Sequence, residues 1–122
     1  MKISGASSQL WTTDLGGSID FYTNKIGLTL DFRYEDFYAG ILAGEQSFHL
    51  KYVCEKDPTI DFVDQNGHFH LYLGTDNVDE LAKTLKKRGV QIVQDVYDAD
   101  WGAKEFVIKD DQGHTVYFGQ CL

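Results

Sequence analysis

Alternating apolar and polar residues mark the stretch from Trp101 to Phe118. Phe106 and Ile108 precede a polar loop, Asp110-Asp111-Gln112-Gly113, and Val116 and Phe118 follow it, so the pattern predicts two hairpin strands joined by a Gly-bearing turn. Thr115, Tyr117 and Gly119 fall on the face opposite Val116 and Phe118. Near the start of the chain, Gln9 to Thr13 has the same alternation, with Leu10 on one face and Gln9, Trp11 and Thr13 on the other. The period then changes. Leu15, Ile19, Tyr22 and Ile26 recur at helical spacing behind a capping Asp14, and Gly27 stands where a left-handed stop is expected. Gly16-Gly17 weakens the first turn by roughly 1 kcal/mol per glycine, which points to close packing there. Three aromatic-rich and aliphatic-rich runs follow, Leu28 to Tyr34, Phe37 to Leu42 and Ser47 to Val53, and predict a meander.

Residues 55–67 are polar, hold the only proline and read as a connection between two halves. Beyond them the pattern restarts with a strand from His68 to Gly74. Asn77 and Glu80 form a capping-box pair ahead of a helix whose buried stripe is Val78, Leu81, Ala82 and Leu85. Lys86, Lys87 and Arg88 suit its C-terminal dipole and Gly89 closes it. Strands are predicted at Val90 to Val96, Lys104 to Lys109 and Thr115 to Gly119. Asp14 to Gly27 and Asp76 to Gly89 have the same spacing, each preceded by one strand and followed by three, so the chain is a duplicated β-α-β-β-β unit. One helix cannot cover both faces of its sheet. Two such modules, about 1–54 and 68–122 of a single domain, are therefore expected to join as an α+β, incompletely closed, cup-shaped mixed sheet with a concave ligand face.

Composition narrows the function. With 122 residues and 43% hydrophobic content, the chain can bury about two-thirds of its unfolded surface. No run reaches the ~20 apolar residues of a membrane span, and the first residues lack a signal-peptide core, so a cytoplasmic place is expected. Cys54 and Cys121 match no disulfide framework or paired-ligand spacing and are expected to be reduced and inert. A formal net charge of −8 repels nucleic acid and anionic lipid and attracts a cationic small molecule or metal complex, although solubility alone accounts for such a charge.

Three stretches together carry a resemblance. Thr13-Asp14-Leu15-x-x-Ser18-x-x-Phe21-Tyr22 with Gly27-Leu28, Ser47-Phe48-His49-Leu50, and Trp101-Gly102-x-x-Glu105-Phe106-x-x-x-Asp110-Asp111-x-Gly113-His114 resemble the vicinal oxygen chelate superfamily, in particular its glyoxalase/bleomycin-resistance/dioxygenase type. In metal-using members, four strand positions converge on a divalent ion. The resemblance puts those positions on Ser7, on His49, on His68 or His70, and on Tyr117. Neutral Ser and Tyr hydroxyls are weak donors, so two positions of four are poor ligands. His49 and His70 read instead as hydrogen-bonded residues of a cavity wall, and His114 as a turn residue.

By strand parity, Trp11 and Tyr72 are expected on the concave face with His70 and Tyr117, bordered by Phe37, Tyr38 and Trp101. Such rings suit stacking on a planar heteroaromatic ligand, while inter-module or dimer packing explains Trp11 and Tyr72 equally well. The expected ligand-binding residues are thus Trp101, Trp11, Tyr38, His49, His70, Tyr72 and Tyr117. The resemblance implies a small-molecule binding protein of the bleomycin-resistance type, a homodimer that sequesters a planar or cationic drug with no cofactor. The alternative it implies is a glyoxalase-type or dioxygenase-type enzyme with Zn, Fe, Mn or Ni on His49, His68 and His70. A catalytically silent interaction protein is the third reading.

Overall fold

The computed structural model describes residues 1–121, with Cys121 given by its backbone alone, so the expectation for that thiol lies outside the described side chains. The chain divides into two compact units, residues 1–57 and from Pro58 onward. Among the described residues no helix is long and apolar enough to cross a membrane.

The first unit runs β1 (Gln9–Thr12), α1 (Leu15–Asp20) continued by a π-helical turn (Phe21–Lys25), β2 (Thr29–Tyr34), β3 (Tyr38–Ala43) and β4 (Gln46–Tyr52). Its sheet has the order β1-β4-β3-β2, with β1 parallel to β4 and the other pairs antiparallel. The Asp14 side chain accepts from the backbone N–H of Gly17 at 3.0 Å, the expected cap. Gly17 is needed for it, because a Cβ there would lie 2.4 Å from the Asp14 carboxylate, whereas Gly16 faces open space. In the widened turn the N–H of Ile26 reaches the carbonyl of Phe21 at 3.0 Å, five residues back. Tyr22 is fully buried there and meets Phe48 edge to face at 5.1 Å. Leu15, Ile19 and Tyr22 form the helix's share of a core completed by Leu10, Ile41 and Leu50.

The second unit repeats the plan as β5 (Leu71–Gly74), α3 (Val78–Lys87), β6 (Gln91–Asp98), β7 (Ala103–Lys109) and β8 (Thr115–Cys121), in the order β5-β8-β7-β6. Two mixed four-stranded sheets of identical strand order, each with its own helix, make the expected α+β duplication. Val78, Ala82 and Leu85 bury the helix face, while Phe106, Ile108, Val116 and Phe118 line the same side of the sheet. Phe106 and Phe118 stack at 4.9 Å.

Two expectations need correction. Residues 55–67 are not a bare connection, because Thr59–Asn66 form α2, which Gly67 ends in the left-handed conformation at φ 63°. Its only buried apolar residues, Ile60 and Val63, are three apart and bind one face to the unit, while Phe62 is exposed and the other residues are polar. The strand predicted from His68 starts at Leu71, because His68 to His70 form the exit from α2 and only the His70 N–H joins the β8 ladder, through Thr115.

Asn77 caps α3 by accepting from the Glu80 N–H at 3.1 Å, and Gly89 after it has φ 78°. Asn77→Ala should lower unfolding free energy by about 1 kcal/mol. Gly89→Val should cost more, since a β-branched residue is strained at positive φ. Urea unfolding of the two variants checks both, and equal, negligible losses would refute this account of the helix.

Candidate ligand-binding site

Strands β7 and β8 of the second unit turn their apolar residues toward the helix side, leaving Glu105, Val107, Lys109, Thr115, Tyr117 and Gly119 on the other. The register pairs Glu105 with Gly119, Val107 with Tyr117, and Lys109 with Thr115. Tyr72 of β5 lies opposite Tyr117, and Tyr97 of β6 opposite Glu105. Two register shifts in β6, between Ile92 and Gln94 and between Gln94 and Tyr97, bring Tyr97 onto this face.

Glu105 is the centre of the arrangement. Only 5% exposed, it accepts from the Tyr72 hydroxyl through Oε2 and from the Tyr97 hydroxyl through Oε1, both at 2.5 Å. Burial first, and then the hydrogen bond to Glu105 and its charge, hold the Tyr97 hydroxyl above the usual tyrosine range, so it stays a donor. Gly119 makes room for the clamp, because a Cβ there would lie 1.9 Å from the Tyr72 hydroxyl. Around Tyr72 stand three further rings: Tyr117 at 6.2 Å, Phe69 at 5.9 Å and Trp101 at 6.3 Å. Trp101 sits on the turn before β7, whose Gly102 has φ 90°, and is 61% exposed.

Beside these rings, and sharing Tyr97 and Tyr117 with them, lies a cavity of about 450 Å³ bounded by α2 and the sheet. Val63, Val93 and Val107 give it apolar walls and His68 stands at its rim. Lys109, at the far end, pairs with Asp64 and bonds Thr115 Oγ1 at 2.6 Å. A cavity of this size with a few placed polar groups fits a drug-sized or smaller molecule.

The first unit carries a different face. His49 Nδ1 and the Tyr38 hydroxyl are 2.9 Å apart, Gln9 Nε2 donates to Tyr38 at 3.0 Å, and Trp11 Nε1 donates to Gln9 at 2.8 Å. Phe32 meets both Tyr38 and His49, and lies where a side chain on Gly40 would otherwise project. Among the expected residues, Trp11, Tyr38 and His49 are thus gathered in the first unit, and Tyr72, Trp101 and Tyr117 in the second. Phe37 packs on Tyr34 at 5.6 Å, apart from the Tyr38 network.

His70 belongs elsewhere in the second unit. Its Nδ1 accepts from the Thr115 N–H at 3.1 Å and its Nε2 lies 3.0 Å from Thr59 Oγ1. Its ring meets His114 edge to face at 4.7 Å, and His114, fully buried, bonds Asp110 through Nδ1 at 2.8 Å. These two imidazoles belong to a group whose ligand atoms lie within 4.8 Å of one another, a spacing that could hold a metal ion. Of the residues that the resemblance offered as ligands, Ser7 and Tyr117 carry neutral hydroxyls, and both ring nitrogens of His70 have hydrogen-bond partners. Residue patterns did not single out Tyr97, and Glu105 entered only through the resemblance.

A family model described as Glyoxalase/Bleomycin resistance protein/Dioxygenase superfamily matches residues 6–118. No curated protein matches the chain. Among solved structures, it is similar to a glyoxalase-related enzyme from Clostridium phytofermentans, with TM-score 0.79 and 18% identity over 100% of this chain and 98% of that one. A bleomycin-binding protein from Streptomyces verticillus, complexed with copper(II)-bleomycin, gives TM-score 0.71 and 20% identity over 100% and 98%. A lactoylglutathione lyase from Agrobacterium tumefaciens gives 0.75 and 20% over 98% and 95%. These likenesses establish the fold.

Gly119→Ala must push Tyr72 off Glu105 and should cost about 1–3 kcal/mol in urea unfolding, through overpacking and an unpaired buried carboxylate oxygen. Unchanged stability would show that the clamp is not held this way. Folded Tyr97 keeps its proton more tightly than an unfolded tyrosine with pKa near 10, so its contribution is full below about pH 10 and is lost as pH rises beyond it. In an alkaline absorbance titration, Tyr97 should ionise only as the chain unfolds, and Tyr97→Phe should shrink that late step by one tyrosine.

Proposed function

Since the chain belongs to the glyoxalase/bleomycin resistance protein/dioxygenase superfamily, we propose that it is a small-molecule binding protein of the bleomycin-resistance type, holding a planar ligand on the second unit's aromatic face without a catalytic metal. The observation that carries this reading is the group of rings, exposed Tyr72 and Trp101 with half-buried Tyr117, beside a cavity of about 450 Å³. Aromatic faces bind flat rings by offset stacking and ask for no particular hydrogen-bond pattern, which suits sequestration better than turnover. The likeness to a bleomycin-binding protein supports the same reading. So does the donor chemistry: of the four positions that the resemblance implies for a metal, two hold the neutral hydroxyls of Ser7 and Tyr117, and His70, one of two histidines offered for a third beside His49, is already bonded through both ring nitrogens.

The enzyme reading has two specific supports, the likeness to a lactoylglutathione lyase and the adjacent imidazoles of His70 and His114, which belong to a group spaced to hold a metal ion. Metal content separates the two. Freshly purified protein should carry no stoichiometric divalent ion, and one tightly held ion per chain, lost on His49→Ala, would favour the enzyme. A homodimer fits the aromatic surface that β2 leaves exposed through Leu30, Phe32 and Tyr34.

Calorimetric titration with a bleomycin tests the ligand class. Trp101→Ala should weaken binding by roughly 1–3 kcal/mol, the usual worth of one stacking ring, with the unfolding midpoint unchanged. Added salt should weaken it too, because the −8 chain attracts the drug over a Debye length of about 10 Å at 0.1 M. Absence of binding heat up to millimolar drug would rule out drug sequestration.

A further inference from the structure

We infer that this site selects planar organic cations, seated over the Tyr72, Tyr117 and Trp101 rings with the Glu105 carboxylate as their counter-charge. The inference rests on the small-molecule reading above and assigns the residue that selects for the ligand's charge. Its starting point is an imbalance. A carboxylate taken out of water is costly unless a cation or several N–H donors compensate it. Asp110, the buried carboxylate of the adjoining turn, is compensated in full: Oδ1 accepts from the N–H groups of Gln112, Gly113 and His114, and Oδ2 bonds the His114 ring. Glu105 is as buried, yet it holds only two neutral hydroxyls, and among the described residues no lysine, arginine or histidine pairs with it. Lys109, on the same face, is committed to Asp64 and Thr115.

The surroundings of that charge are the kind a cation favours. Tyr72 and Trp101 are open to solvent, and with Tyr117 and Phe69 they present π faces and edges at 5–6 Å spacings. A cation within about 6 Å of a ring centroid is attracted by the ring quadrupole, more strongly once desolvated, and a planar cation also keeps the stacking energy. The two tyrosine protons point at Glu105, so their hydroxyl oxygens offer a ligand lone pairs and no donors. An anionic ligand meets repulsion from the carboxylate and from the net charge of −8.

The test uses two probes of one shape, N-methylquinolinium, a permanent cation, and quinoline, neutral at pH 8, titrated calorimetrically into wild-type protein and Glu105→Gln. In wild type the cation should bind about tenfold tighter or more, a difference of about 1.4 kcal/mol. Glu105→Gln should erase that preference, read as the ratio of the two probes' affinities within the variant. Equal affinities of wild type for the two probes would overturn the cation assignment and leave the binding reading intact. A preference that survives in folded Glu105→Gln would remove Glu105 from the role. Binding of neither probe up to millimolar concentration would overturn the binding reading and this inference together. Should Glu105→Gln not fold, the wild-type comparison decides the ligand's charge by itself.

Discussion

The turn built on Asp110 sets the geometry of the second unit. Its carboxylate gathers three successive backbone N–H groups and the ring of a fully buried histidine, so the strands on either side leave it in one register. Because side chains alternate, a slip of one residue there would send Glu105, Val107 and Tyr117 to the helix side and bring Phe106 and Phe118 into the open. The polar face exists because that slip is prevented. A turn built on one carboxylate is a small structure, yet the facing of two strands follows from it.

Duplicated topology does not imply duplicated chemistry. Both units have the same strand order and one packed helix, and both carry an aromatic face with a hydrogen-bonded polar group in it. In the first unit that group is His49 on Tyr38, joined onward to Gln9 and Trp11. In the second it is a carboxylate between two tyrosines. Glycine serves both units alike, with Gly40 admitting Phe32 and Gly119 admitting Tyr72, so rings cross positions where any side chain would block them.

The architecture was legible from the chain because its signals are local. Asp14 and Asn77 cap their helices as their side chains predict, the glycines that end them have positive φ, and the hairpin around Asp110 lies where the alternation breaks. Helix α2 was not legible, since its apolar residues Ile60, Phe62 and Val63 do not form one helical stripe, and the two that are buried make too thin a face to separate from a loop. Tyr97 was hidden by the two shifts in β6, which break the parity that assigns faces. Glu105 looked like an ordinary outward residue of an alternating strand, and only its cross-strand partners make it a buried one. His70 misled for a related reason: parity was counted along a strand that begins one residue later, and its ring is turned to Thr59 and His114.

The π-helical turn at Phe21 to Lys25 has a bearing on the repeat itself. Measured from capping side chain to left-handed glycine, the first unit's helix, Asp14 to Gly27, is one residue longer than the second's, Asn77 to Gly89. In a regular helix that surplus would rotate everything after it by about 100° and carry Ile26 away from the core. Here it is swallowed as a wide loop of backbone, so Ile26 stays buried and the three strands that follow keep the order they have in the other unit. The helix acts as a length buffer, in which a one-residue difference between the halves is confined to a single turn and never reaches the sheet.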